Sequence, residues 1–129
     1  MILTLEQLEK MDACQPARDL FKKIFGKEAN LSEVVIELNK RNLEEYEAWL
    51  LAQNYKLTEG LVEAGANIHA NDDDALCLAV RDGRLDIAEL LLDKGANVHA
   101  SNNYAFCWAI RYGRPDMVEL LSEAMRYYR

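Results

Sequence analysis

The sequence predicts an all-α fold: a short helical solenoid of two clear repeats and one degenerate one, closed at its N-terminal end by a helical cap. Three observations predict it. The phrase GANIHA at residues 65–70 returns as GANVHA at 95–100, and the stretches that follow reach AELLL and VELLS thirty positions apart. A fixed period in the range of about 20–50 residues marks stacked units. Proline occurs only at Pro16 and Pro115, which favours uninterrupted helices, and 50% of the 129 residues are hydrophobic, enough for one buried core.

Residues 1–41 carry three helix patterns without a period, and read as the cap. In the first, Thr4 and Gln7 form a capping box ahead of a Leu5, Leu8, Met11 stripe. In the second, Pro16 takes the N1 position, Leu20, Phe21, Ile24 and Phe25 form the apolar face, and Gly26 ends the helix. The third has Ser32 as its N-cap and turns Val35, Ile36 and Leu38 inward.

Residues 42–129 then divide into units at about 42–70, 71–100 and 101–129, one continuous structure. The first is degenerate. Asn42 and Glu45 read as a capping box, Trp49 stands where Ala79 and Ala109 stand, and Gln53 stands where Gly83 and Gly113 stand. In the second, Asp74 caps a helix whose stripe is Leu76, Ala79 and Val80, and Gly83 stops it. Asp86 caps or begins the next helix, with Ile87, Leu90 and Leu91 buried, until Gly95. The third repeats this pattern, and Ser122, Glu123, Arg126 and Arg129 supply the polar outer face that a terminal unit requires. One helix pair cannot bury its own apolar stripes, so the units must stack.

These units resemble ankyrin repeats. The family's T-P-L-H-x-A segment corresponds to DALCLA at 74–79 and YAFCWA at 104–109, and its second half to GRLDIAELLLDKGA at 83–96 and GRPDMVELLSEA at 113–124. Ala75 and Ala105 replace the proline, and Cys77 and Cys107 replace the histidine. The period of thirty is also short of about 33. The shortage falls between Ala70 and Asp74, which predicts a clipped finger rather than a lost helical turn. At the other end, residues 3–26, with the pattern LTLEQL, AC, F, FG, resemble a small helical segment that heads phage and prophage accessory proteins.

The formal net charge of −7 works against direct nucleic-acid binding, which needs a basic face, and against anionic membranes. It suits a protein partner with a basic surface. No window approaches the ~20 apolar residues of a membrane span, and MILTLEQLEK lacks the basic and apolar regions of a secretory signal. Three cysteines without paired spacing suit a reducing compartment, so a cytoplasmic location is expected, inside the host cell if the chain is phage-encoded.

Candidates for chemistry are few. His69 and His99 occupy equivalent positions in successive units, about 8–10 Å apart by ordinary helix stacking. One zinc ion needs ligands at about 2 Å. They are therefore expected to anchor the turn through hydrogen bonds to neighbouring backbone. The same offset excludes a Cys77–Cys107 disulfide, since bridged Cα atoms lie within about 7 Å. Both cysteines are expected to be small buried packing residues, and Cys14 has no visible base or partner. No third residue orients a Cys–His pair, and no phosphate loop or zinc motif is present. No catalytic residue, metal or cofactor is expected.

Surface remains. The ankyrin resemblance implies a groove lined by turn tips and inner helices. In one unit it carries Asp72, Asp73, Arg81 and Asp82; in the next, Asn102, Asn103, Tyr104, Arg111 and Tyr112. The leading expectation is non-catalytic protein binding. The phage-like segment, small size and acidic charge sharpen it to a counter-defence protein, such as an anti-CRISPR inhibitor that binds a basic surface of a host nuclease complex. The alternative is an intracellular adaptor or regulator of an unrelated pathway, with an enzyme third.

Overall fold

The computed structural model describes the backbone of residues 1–127 and the side chains of residues 1–126, so Arg129 lies outside the described residues. A strand β1 (Ile2–Thr4) precedes helices α1 (Leu5–Lys10) and α2 (Gln15–Phe25). A strand β2 (Glu28–Asn30) and helix α3 (Leu31–Lys40) follow. Three helix pairs come next: α4 (Glu44–Leu51) with α5 (Tyr55–Glu63), α6 (Ala70–Arg81) with α7 (Leu85–Asp93), and α8 (Ala100–Arg111) with α9 (Pro115–Tyr127). Helices α4, α6 and α8 pack side by side as an inner layer, and α5, α7 and α9 as an outer one. None of these helices is long and apolar enough to cross a membrane.

The expected helix patterns of the cap are present, with an addition. Strands β1 and β2 pair antiparallel, Leu3 opposite Ala29, and both of those side chains are buried. The Thr4–Gln7 capping box forms in both directions, at 3.1 and 2.8 Å. Pro16 falls one position inside the first residue of α2, and Gly26 ends that helix at φ +79°. Two expectations fail in α3. The N-cap is Asn30, whose side chain accepts from the Glu33 N–H at 2.9 Å, and not Ser32. Val34 points inward with Leu31 and Val35, while Ile36 is exposed. Entering the helix from a strand moves its N-cap by two residues and rotates the buried stripe with it.

The degenerate unit keeps its length but changes its stops. Asn42 is not a cap for α4. It sits at φ 55°, ending α3 in the left-handed conformation that Asn tolerates, and Leu43 takes the N-cap position without a side-chain bond. Gln53, in place of the glycines, adopts no left-handed backbone. Its side-chain amide instead donates to the Trp49 carbonyl at 2.9 Å, satisfying a helix-end acceptor from outside the chain path.

In the second unit Leu76, Ala79 and Val80 are buried as expected. On α7 the buried set is Ile87, Ala88, Leu91 and Leu92, with Leu90 half-buried, so the stripe lies slightly to one side of the predicted one. Gly83 takes φ +71°, the left-handed backbone that favours glycine, and a Cβ there would have to displace the guanidinium of Arg114. That guanidinium also donates to the Arg81 carbonyl at 2.9 Å, tying the third unit to the end of α6. Met125 stands where Gly65 and Gly95 stop their helices, so α9 runs on to Tyr127 and packs Ala124 into the core. Of the expected polar end, Glu123 and Arg126 are exposed, while Ser122 is half-buried and donates to the Val118 carbonyl.

Candidate functional site

The repeated GAN-x-HA phrase sets the spacing of the inner helices, and each letter has a task. Gly65 and Gly95 take φ +94° and +99°, reversing the chain after the outer helix. The Asn67 and Asn97 side chains accept from the His69 and His99 N–H groups at 3.0 and 2.9 Å, closing the turn. The Asn N–H groups reach back to the preceding inner helix: Asn67, ahead of α6, donates to Glu47 of α4 at 2.8 Å, and Asn97, ahead of α8, to Asp73 of α6 at 3.1 Å. Each histidine ring then meets a side-chain oxygen four residues on, at the start of the following inner helix. His69 Nδ1 lies 2.7 Å from Asp73 Oδ1, and His99 Nδ1 lies 2.6 Å from Asn103 Oδ1. The histidines thus anchor the turn, but to side chains and not to the backbone.

Between that phrase and the inner helix, the clipped finger takes an unusual form. Asn71, Asp72 and Asp73 hold φ 55°, 58° and 57°, and Ser101, Asn102 and Asn103 hold 53°, 58° and 63°. Left-handed backbone costs ordinary residues about 1–2 kcal/mol each, and Asn and Asp tolerate it best. The run of short polar residues at these six positions follows from that tolerance. It also moves the start of the right-handed helix, so Asp74 makes no capping bond.

This geometry reassigns part of the expected groove. Asp73 is not outward-facing: it is 5% exposed, held between His69 and the Asn97 N–H. Asn103 is half-buried against His99. Asp72 and Asn102 are exposed, and Asp72 accepts a short hydrogen bond from the Ser101 hydroxyl of the next unit. Asp82 is exposed and paired with Arg81 at 3.0 Å; that bond raises the Arg81 pKa above its ordinary value. Tyr104, Arg111 and Tyr112 are exposed, as expected.

Tyr104 and Tyr112 are joined by a residue the groove prediction omitted. Trp108 stacks against Tyr104 at 5.0 Å and against Tyr112 at 5.4 Å, each pair tilted at 53°. The guanidinium of Arg81 sits over the Trp108 ring, 6.0 Å from its centre, within cation–π range. The three rings lie at i, i+4 and i+8 of α8 and its cap, one stripe of the helix surface. That spacing was the available signal.

Among the described residues no three His, Cys, Asp or Glu side chains converge on a metal-sized space. The thiols differ from one another. Cys77 is buried, and burial first, then the charges of Asp74, Asp73 and Asp72, push its pKa up to about 11, which keeps it protonated. Cys107 is exposed, contrary to the expectation that it packs like Cys77.

Glu47, 2% exposed, is a second residue that composition did not single out. Burial raises its pKa above the ordinary 4.5; the Asn67 N–H lowers it, and nearby Glu44 raises it further. A raised folded-state value means that the stabilising contribution is full below 4.5 and is lost as pH rises through the folded pKa. Glu47→Gln keeps the acceptor for Asn67 and removes the charge. The variant is expected to gain stability relative to the parent between about pH 4 and about pH 7, read as the difference in urea midpoints at the two ends. An equal difference at both would mean that Glu47 does not titrate in this window.

A family model described as ankyrin repeats (three copies) matches residues 47–127, more than half of the chain. No curated protein and no solved structure matches.

Proposed function

The chain belongs to the ankyrin-repeat family, and from that premise we propose that it works by non-catalytic protein binding through the α6–α8 face. The aromatic stripe carries this reading. Tyr104 and Tyr112 are 45% and 50% exposed, Trp108 is half-buried between them, and Arg81 braces the tryptophan. Trp, Tyr and Arg are the side chains most often found at binding hot spots, and stacked rings lose little conformational entropy on association. Arg111 lies beside them, exposed. The partner is a protein, and the net charge of −7 favours one with a basic surface.

The finer proposal is a counter-defence inhibitor of the anti-CRISPR kind. Its supports are the phage-like pattern of residues 3–26, the small size and the acidic balance, which suits the basic channel a nuclease complex uses for nucleic acid. Cleavage of target DNA by a purified nuclease complex, measured with increasing protein, tests this directly. Unchanged cleavage at saturating protein removes the finer proposal and leaves the coarser one standing.

For the coarser one, the partner is recovered by affinity from the native cell and its binding kinetics measured against the parent and Tyr112→Ala. The substitution is expected to cost about 2 kcal/mol of binding, expressed mainly in dissociation, without changing the unfolding midpoint. Parent-like binding would move the interface away from this stripe.

A further inference from the structure

Positions thirty apart tell which faces of a unit its neighbour covers. Glu47, Cys77 and Cys107 are equivalent; the first two are buried and the third is exposed. Leu50, Val80 and Ile110 are equivalent, at 6%, 0% and 58% exposure. In the outer layer Thr58 and Ala88 are fully buried, whereas Val118 is half-buried. In the first two units this face receives the next helix pair. In the third no described residue covers it, which leaves an apolar surface of Cys107, Ile110 and Val118 with half-buried Phe106 and Ser122 at its edge.

We propose that this open end is the interface of a symmetric dimer, in which two copies of the chain meet α8 to α8. Three observations favour a second copy as the occupant. The face continues the α6–α8 interface by repeat equivalence, so its shape suits a helix pair of this same kind. Head-to-tail stacking is closed off, because α3 packs on both α4 and α5 of the first unit, so only a two-fold arrangement joins like ends. The five residues named carry no charge, so two chains of net charge −7 meet there without opposing charges at the centre of contact.

Sedimentation of the full chain at increasing concentration tests this, alongside Ile110→Glu and, as control, Ile36→Glu. Ile36 is 61% exposed on α3, remote in sequence from the open end, and equally apolar. The expected result is a monomer–dimer equilibrium that Ile110→Glu weakens about tenfold or more and Ile36→Glu leaves unchanged. Because Ile110 is already exposed in the protomer, its unfolding midpoint at low concentration is expected to stay put. A monomer at every concentration up to about 1 mM overturns the proposal. So does a dimer that Ile110→Glu leaves intact, or one that Ile36→Glu disrupts.

Discussion

Leu91→Ala is expected to destabilise the protein by about 2–5 kcal/mol. Leu91 is fully buried on α7, the central helix of the outer layer, which packs on α6 and is flanked by α5 and α9. Removing its side chain forfeits the transfer free energy of the lost carbons, and neighbours on both sides prevent collapse into the space. Because each unit is stabilised mainly by its neighbours, damage at the centre removes two interfaces at once. Urea unfolding measures it: the midpoint should fall while the slope stays that of one cooperative transition. A loss below about 1 kcal/mol would mean that the stack does not hold α7 as described.

Asp73→Ala is expected to cost about 1.5–3 kcal/mol, the range for hydrogen bonds to a charged group. The carboxylate accepts from the Asn97 N–H, in the turn that leads into α8, and meets the His69 ring, in the turn that leads into α6, and both partners lose it together. Asp73→Asn provides the contrast. Asn103 fills the equivalent position naturally and still meets His99 at 2.6 Å, so the amide variant should keep most of the stability. Thermal unfolding of the two variants separates the loss of an acceptor from the loss of a charge. If alanine and asparagine are equally harmless, the turns are not what joins the units.

The repeat was legible because its stops are chemically distinctive. A glycine after each of the first two outer helices and the recurring GAN-x-HA phrase fix the period, and the buried set Leu76, Ala79 and Val80 follows from it. Less was legible where a residue's role depends on its neighbours in space. The strands β1 and β2 each bury a single residue, Leu3 and Ala29, too few to display an alternating pattern. Within Asn-Asp-Asp-Asp at 71–74, four similar polar letters hide one buried acceptor, because the left-handed turn decides which side chain points inward. Glu47 reads as an exposed helical carboxylate, yet it is buried where its reach brings it to the Asn67 N–H. Cys107 matches Cys77 in sequence, yet it is exposed, because among the described residues no helix pair packs on it as α8 and α9 pack on α6 and α7. Of the proposed binding face, Tyr104, Arg111 and Tyr112 were legible from the repeat register, whereas the ring between them was not, because Trp108 stands where the preceding unit has Leu78.

The central claim is that the inner layer meets a protein partner. Amide hydrogen exchange of the chain, free and bound to the partner recovered by affinity, tests it most directly. The account predicts added protection along α6 and α8, greatest between Tyr104 and Tyr112, with α5, α7 and α9 unchanged. Protection confined to those outer helices, or to residues 1–41, would contradict it.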